Sequence, residues 1–177
     1  MLAQEAADMM MRSAKVLLLG DVGVGKTSLA KRLAFNSFDG TYKTTIGVDV
    51  VSHELDLGPS CDNARIRLVL WDTDGDFGQQ IFSTVYATGS AGAVIVADAS
   101  RPATFGKLRN LAAEFNRRFP GRPMRAIINK IDLIAEGERR FSVPDLEADE
   151  IWKGSAKTGE GVAEIFLSVG QAVWRRA

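Results

Sequence analysis

Lys26, Thr27 and Ser28 close a glycine-rich loop, Gly20-Asp21-Val22-Gly23-Val24-Gly25-Lys26-Thr27-Ser28. Residues of these types at this spacing bind phosphate. Glycines let the backbone wrap the phosphate oxygens. The loop N–H groups and the positive end of a following helix face the anion. Lys26 can reach the β- and γ-phosphates, and the Thr27 hydroxyl can hold Mg²⁺. The elements that must position this loop are legible on either side. Val16-Leu17-Leu18-Leu19 reads as an apolar strand, and Leu29-Ala30-Lys31-Arg32-Leu33 has helical spacing.

A phosphate loop does not name a base. Asn129-Lys130-Ile131-Asp132 does, at the end of a predicted strand. Asp132 can accept two hydrogen bonds from the N1–H and N2–H₂ edge of guanine. Adenine cannot supply them, and a buried carboxylate left unpaired rejects it. The Lys130 stem can lie on the purine face. Ser155-Ala156-Lys157 follows the last predicted strand and can offer backbone N–H groups to guanine O6.

The surrounding pattern is that of one α/β domain. Lys15–Gly20 reads as the first strand and Lys26–Phe35 as the first helix. Asn36–Gly47 is a long loop rich in Gly, Thr, Asp and Asn. Val48–Leu57 and Ala64–Trp71 form a strand pair. Asp72–Gly78 is a polar loop, and Gln79–Thr88 is expected to be helical. Ala91–Asp98 is a nearly continuous apolar run, as in a buried parallel strand. Pro102 opens a helix that runs to about Phe119. Arg125–Asn129 and Ile151–Lys153 are the last strands, and Gly161–Arg175 is the terminal helix. The alternation predicts a mostly parallel six-stranded sheet with helices on both faces and one antiparallel edge pair. Residues 1–14 read as a flexible extension and 15–177 as the domain.

Composition narrows the partners. Lys+Arg 22 balances Asp+Glu 22. No charge excess points to nucleic acid or to a polybasic membrane contact. A single cysteine, Cys61, precludes a disulfide framework and a cysteine metal cluster. No run has the length and character of a transmembrane segment or a secretory signal. His53, in the predicted edge strand, reads as solvated or structural, Glu136–Arg140 as a solvated loop, and Trp71 as packing beneath Asp72–Gly78.

With these motifs in place, the chain resembles the Ras superfamily of small GTPases, and within it the Rab branch, from about Lys15 to the last helix. Gly20–Ser28 is similar to the Rab phosphate loop. Thr45-Ile46-Gly47-Val48-Asp49 is similar to the first switch, and Trp71-Asp72-Thr73-Asp74-Gly75 to the start of the second. Asp98-Ala99-Ser100-Arg101-Pro102-Ala103-Thr104-Phe105 resembles the entry to the third helix of that branch. The resemblance implies a P-loop small G domain that binds GTP and GDP with Mg²⁺. It implies that Thr45 binds Mg²⁺ and the γ-phosphate, and that Asp72 holds Mg²⁺ through a water. The Gly75 N–H would touch the γ-phosphate and so move the second switch. Phe38 stands where the family has an aromatic against guanine, and Tyr42 where it has a tyrosine over the phosphates. Catalysis would rest on Lys26, Thr45 and Gly75, with Asp76 able to hold the attacking water only if its loop moved closer. Effectors, and an activating and an exchange protein, would read Asn36–Gly47 and Asp72–Thr88.

Three positions depart from the family pattern. Asp76 replaces the glutamine that follows the second-switch glycine and orients the attacking water. Losing such a group costs roughly 10²–10⁴ in rate. Asp74 stands where a small residue is usual. A carboxylate about 4 Å from the γ-phosphate costs roughly 1–4 kcal/mol, or about one to three decades of GTP affinity relative to GDP. The third departure is the end of the chain, Val173-Trp174-Arg175-Arg176-Ala177, which carries no cysteine for prenylation, while Leu2 excludes N-myristoylation. The expectation is a cytoplasmic protein without its own lipid anchor. The leading reading is a slow GTPase. Its alternative is a GTP- or GDP-locked interaction module with negligible turnover. An ATP-driven enzyme is disfavoured by Asn129–Asp132, and a Roc-like GTPase domain of a larger chain is disfavoured by the Rab-like third-helix segment.

Overall fold

A computed structural model of the chain describes residues 11–41, 45–147 and 150–177. Among the described residues, six strands form one sheet: β1 (Arg12–Gly20), β2 (Val48–Asp56), β3 (Arg65–Thr73), β4 (Gly92–Asp98), β5 (Met124–Asn129) and β6 (Ile151–Lys153). Their spatial order is β2-β3-β1-β4-β5-β6. Only β2 and β3 pair antiparallel, and all other pairs are parallel. The helices are α1 (Lys26–Phe35), α2 (Ala103–Arg118) and α3 (Val162–Arg176).

Apolar residues on alternate positions of the central strands serve two cores. On β1, Val16 and Leu18 face Leu29 of α1 and Ile165, Phe166 and Val169 of α3. Leu17 and Leu19 join Leu108, Leu111 and Phe115 of α2 on the opposite side. Period two along a fully buried strand therefore supplies both faces, as the near-continuous apolar runs predict. The strand order reverses between β1 and β4. α1 follows β1 on one face and α2 follows β4 on the other. Ligands of open α/β sheets bind where the order reverses, beyond the strand carboxyl ends. The loops after β1, β4 and β5 meet there.

Three boundaries differ from expectation. β1 begins at Arg12, inside the segment expected to be an extension, because Arg12–Ala14 pair with Ile66–Leu68 of β3. β3 runs on through Asp72 and Thr73, held by Asp49 and Val48 of β2. The helix expected over Gln79–Thr88 is present only as far as Ser83, and as 3₁₀ rather than α-helix. A 3₁₀ helix covers Gly75–Ser83, kinked at Gly78, whose φ of 48° and ψ of −134° are not helical. Thr84 is extended, and its hydroxyl donates to the Ile81 carbonyl at 2.6 Å. The local threonine bond competes with continued helix, which apolar spacing alone does not register.

Candidate functional site

The phosphate loop folds around its own lysine. Gly25, at φ 101°, starts α1 in a left-handed conformation. A Cβ there would come 2.3 Å from Asn129 Nδ2, so glycine is required both by the backbone and by the close approach. Lys26 is buried, and its Nζ donates to the Gly20 carbonyl at 3.0 Å and the Asp21 carbonyl at 2.8 Å. Burial lowers the Lys26 pKa to about 8, although the carboxylates of Asp72 and Asp21 favour its charge.

Thr27, Thr45 and Asp72 converge beside it. Thr27 Oγ1 lies 2.8 Å from Thr45 Oγ1 and donates to Asp72 Oδ2. Thr45 Oγ1 lies 3.5 Å from the same carboxylate oxygen. Asp72 Oδ1 is buried and has no hydrogen-bond partner among the described residues. Burial raises the Asp72 pKa against the pull of the Thr27 hydrogen bond and the Lys26 charge. Two hydroxyls and an orphaned carboxylate oxygen form a hard oxygen donor set, which fits Mg²⁺.

The base end is tied to the phosphate end by side chains. Asn129 Nδ2 donates to the Val24 carbonyl at 2.9 Å, and Asn129 Oδ1 accepts the Ala156 N–H at 3.0 Å. Lys130 has φ 66°, a left-handed conformation uncommon outside glycine. Its Nζ donates to the Gly23 carbonyl at 2.6 Å and to Asp98 Oδ2 at 2.8 Å, and these bonds hold the strained residue in place. Ser155 Oγ donates to Asp132 Oδ1 at 2.5 Å. A cleft of about 530 Å³ runs between the two ends. Val22, Gly23, Gly25, Lys26, Thr27, Ser28, Phe38, Thr45, Gly75, Asn129, Lys130, Asp132, Ala156 and Lys157 line it. Asp21, Val24, Asp72 and Ser155 stand behind that lining and support it through the bonds just described. Tyr42 lies outside the described residues.

The family model for the Ras of Complex, Roc, domain of DAPkinase matches residues 15–132. The chain is also similar to a Ras-related protein Rab-21 of Geodia cydonium. That match is 34% identical over 169 residues, covering 90% of this chain and 70% of the relative. The chain belongs to the Ras superfamily of small GTPases. It is Rab-like within it: RABE1e of Arabidopsis thaliana is 31% identical over 171 residues, covering 92% of this chain and 75% of the relative. Rab-21 of Homo sapiens is 33% identical over 164 residues, covering 89% and 70%. The family is one of guanine-nucleotide-binding switches, and this chain binds GTP and GDP as a member of it.

The two aspartates expected to depart from the family pattern occupy different places. Asp74 lines the cleft. Its Oδ1 accepts the Asp76 N–H at 2.9 Å and so caps the 3₁₀ helix. Asp76 is exposed and is not part of the cleft lining. Sequence reading missed four supports. Buried Asp98 gathers Ser100, Arg101 and Lys130. Arg101 also donates to the Val22 carbonyl at 2.7 Å. Arg32 of α1 donates to the carbonyls of Ala156 and Lys157. Lys107 of α2 reaches the phosphate loop. Asp98 and Arg101 lie within a recognised motif. Arg32 and Lys107 look like ordinary exposed helix cations, and no local signal marks them.

No helix among the described residues is long and apolar enough to cross a membrane.

Proposed function

We propose that this protein is a Mg²⁺-dependent GTP switch that hydrolyses GTP slowly on its own. The observation that carries this is the meeting of Lys26, Thr27, Thr45, Asp72 and Gly75 at one end of the cleft, with Asn129, Lys130 and Asp132 at the other. Thr27, Thr45 and Asp72 would hold Mg²⁺, Asp72 through a water, and the bound ion would offset phosphate charge and orient the oxygens. Lys26 would exchange the Gly20 and Asp21 carbonyls for the β- and γ-phosphates. Asp132 would accept the guanine N1–H and N2–H₂ edge, Lys130 and Phe38 would flank the ring, and the Ser155–Lys157 turn would face O6. Thr45 and the Gly75 N–H would hold the γ-phosphate and order both switches. Catalysis would come from positioning and fixed charge. The step left unsupported is orientation of the attacking water. Asp76 is turned to solvent, so the water would wait on loop movement or on a group from an activating protein.

Effectors and regulators would read Asn36–Gly47 and Asp72–Thr88. Ile46 and Val85, in these segments, are 90% and 80% exposed, which suits an apolar partner surface. A cytoplasmic location is part of this proposal.

A nucleotide-held interaction module is the second reading. Asp74 on the cleft wall and Asp76 outside it favour that reading. Single-turnover hydrolysis of Mg²⁺-GTP, sampled over one day, separates the two. Steady GDP formation by the purified protein supports the self-timed switch. Intact bound GTP at the end supports the held state, with turnover dependent on a partner or absent.

A further inference from the structure

Lys107 lies near the start of α2, far in sequence from everything its ammonium touches. Its stem passes Gly78, where an added Cβ would lie 3.7 Å from Lys107 Cε. Its Nζ then donates to Asp21 Oδ1 at 2.7 Å and to the Gly75 carbonyl at 3.1 Å. Asp21 Oδ1 also accepts the Val22 N–H at 2.9 Å, so the carboxylate is fixed to the loop backbone. Gly75 presses on that same backbone, and a Cβ on it would sit 2.4 Å from Val22 N.

We propose that Lys107 is a positioning residue that clamps the second-switch glycine onto the phosphate loop and so favours GTP over GDP. The proposal rests on the guanine-nucleotide reading above. A γ-phosphate needs the Gly75 N–H in place, and GDP does not. A segment already held there loses less conformational freedom when GTP binds. The clamp joins a helix, the phosphate loop and the second switch through one cation. It needs no glutamine at the position of Asp76 to keep that switch close.

Competition of Mg²⁺-GDP and a non-hydrolysable Mg²⁺-GTP analogue against fluorescent GDP tests this. In Lys107→Met the analogue should bind roughly three- to tenfold more weakly, with GDP changed by less than about twofold. Lys107→Arg, which keeps charge and reach, should retain most of the preference. A misfolded fraction lowers both signals and leaves the ratio of affinities unchanged, so the ratio reports the clamp. Lys107→Met also strands the Asp21 charge near the phosphates. The double variant Lys107→Met with Asp21→Asn removes that charge and should keep the selective loss. An unchanged ratio in Lys107→Met, an equal loss for both nucleotides, or recovery in the double variant overturns the clamp. A wild-type protein that binds neither nucleotide overturns the guanine-nucleotide reading and the clamp with it.

Discussion

Substituting Gly75 by alanine places a methyl carbon where the phosphate-loop backbone already is. Its Cβ would lie 2.4 Å from Val22 N, 2.6 Å from the Asp21 carbonyl carbon and 2.7 Å from Val22 Cα. Ordinary contact begins near 3.4 Å, so the closest pair must part by about 1 Å. The loop is the stiffer side. Arg101 bonds the Val22 carbonyl, and the Asp21 carboxylate bonds the Val22 N–H. The second switch must therefore retreat. A retreat of about 1 Å takes a hydrogen bond of ordinary length out of range. The bond at stake is the proposed one from the Gly75 N–H to the γ-phosphate. A hydrogen bond to a charged group contributes about 1.5–3 kcal/mol, which is about 10- to 150-fold in affinity. Gly75→Ala should weaken the GTP analogue by that factor and change GDP by less than about twofold. Competition against fluorescent GDP measures both constants. Trp71, whose ring centroid lies 6.2 Å from that of Tyr86 beyond the 3₁₀ helix, offers a second signal of switch closure. An unchanged GTP-to-GDP ratio, or an equal loss for both nucleotides, would refute the reasoning.

Asp76→Gln should raise the single-turnover hydrolysis rate at least about tenfold, within the range a positioned group supplies, and an unchanged rate rejects Asp76 as the cause of slow turnover. Asp74→Ala removes a cleft carboxylate and, with it, the cap on the 3₁₀ helix. The relief of charge repulsion is specific to GTP, so the GTP-to-GDP affinity ratio should rise about three- to tenfold, and competition binding that gives equal ratios dismisses the effect. Nucleotide affinity should also fall as the solution becomes alkaline. Burial disfavours the Lys26 charge and lowers its pKa to about 8, and bound phosphate would raise that value. Binding above it therefore takes up a proton, and affinity drops with rising pH. The expected loss of GDP affinity from pH 7 to 8.5 is about fourfold, and isothermal titration in buffers of different ionisation heat should show proton uptake. A flat profile with no uptake would show that Lys26 stays charged in the free loop.

The sequence alone determined the kind of ligand and the order of the parts. Glycines, lysine and hydroxyl at Gly20–Ser28 specify a phosphate cradle, because only such residues let a backbone wrap an anion. Asn129–Asp132 pointed to guanine, the base proposed above, because one carboxylate at that place suits one base edge. The apolar runs of β1 and β4 announce a buried parallel sheet before any coordinates. Local chemistry encodes all of these, so spacing suffices to find them. Where local signals compete, spacing misleads. Gln79–Thr88 has apolar residues at helical intervals, yet the 3₁₀ helix stops at Ser83, where Thr84 is extended and bonds back to Ile81. Only the tertiary structure decided that Asp74 lines the cleft while Asp76 faces water. It alone joined Lys107 to Asp21 and Gly75, and Arg32 to the Ala156 carbonyl. Those contacts span 86, 32 and 124 residues of chain. A cation on a helix surface carries no local mark of its partner. The partner is chosen by the packing of α1 and α2 against opposite faces of the sheet, which brings Lys107, near the start of α2, to the phosphate loop and Arg32, in the last turn of α1, to the Ala156–Lys157 turn.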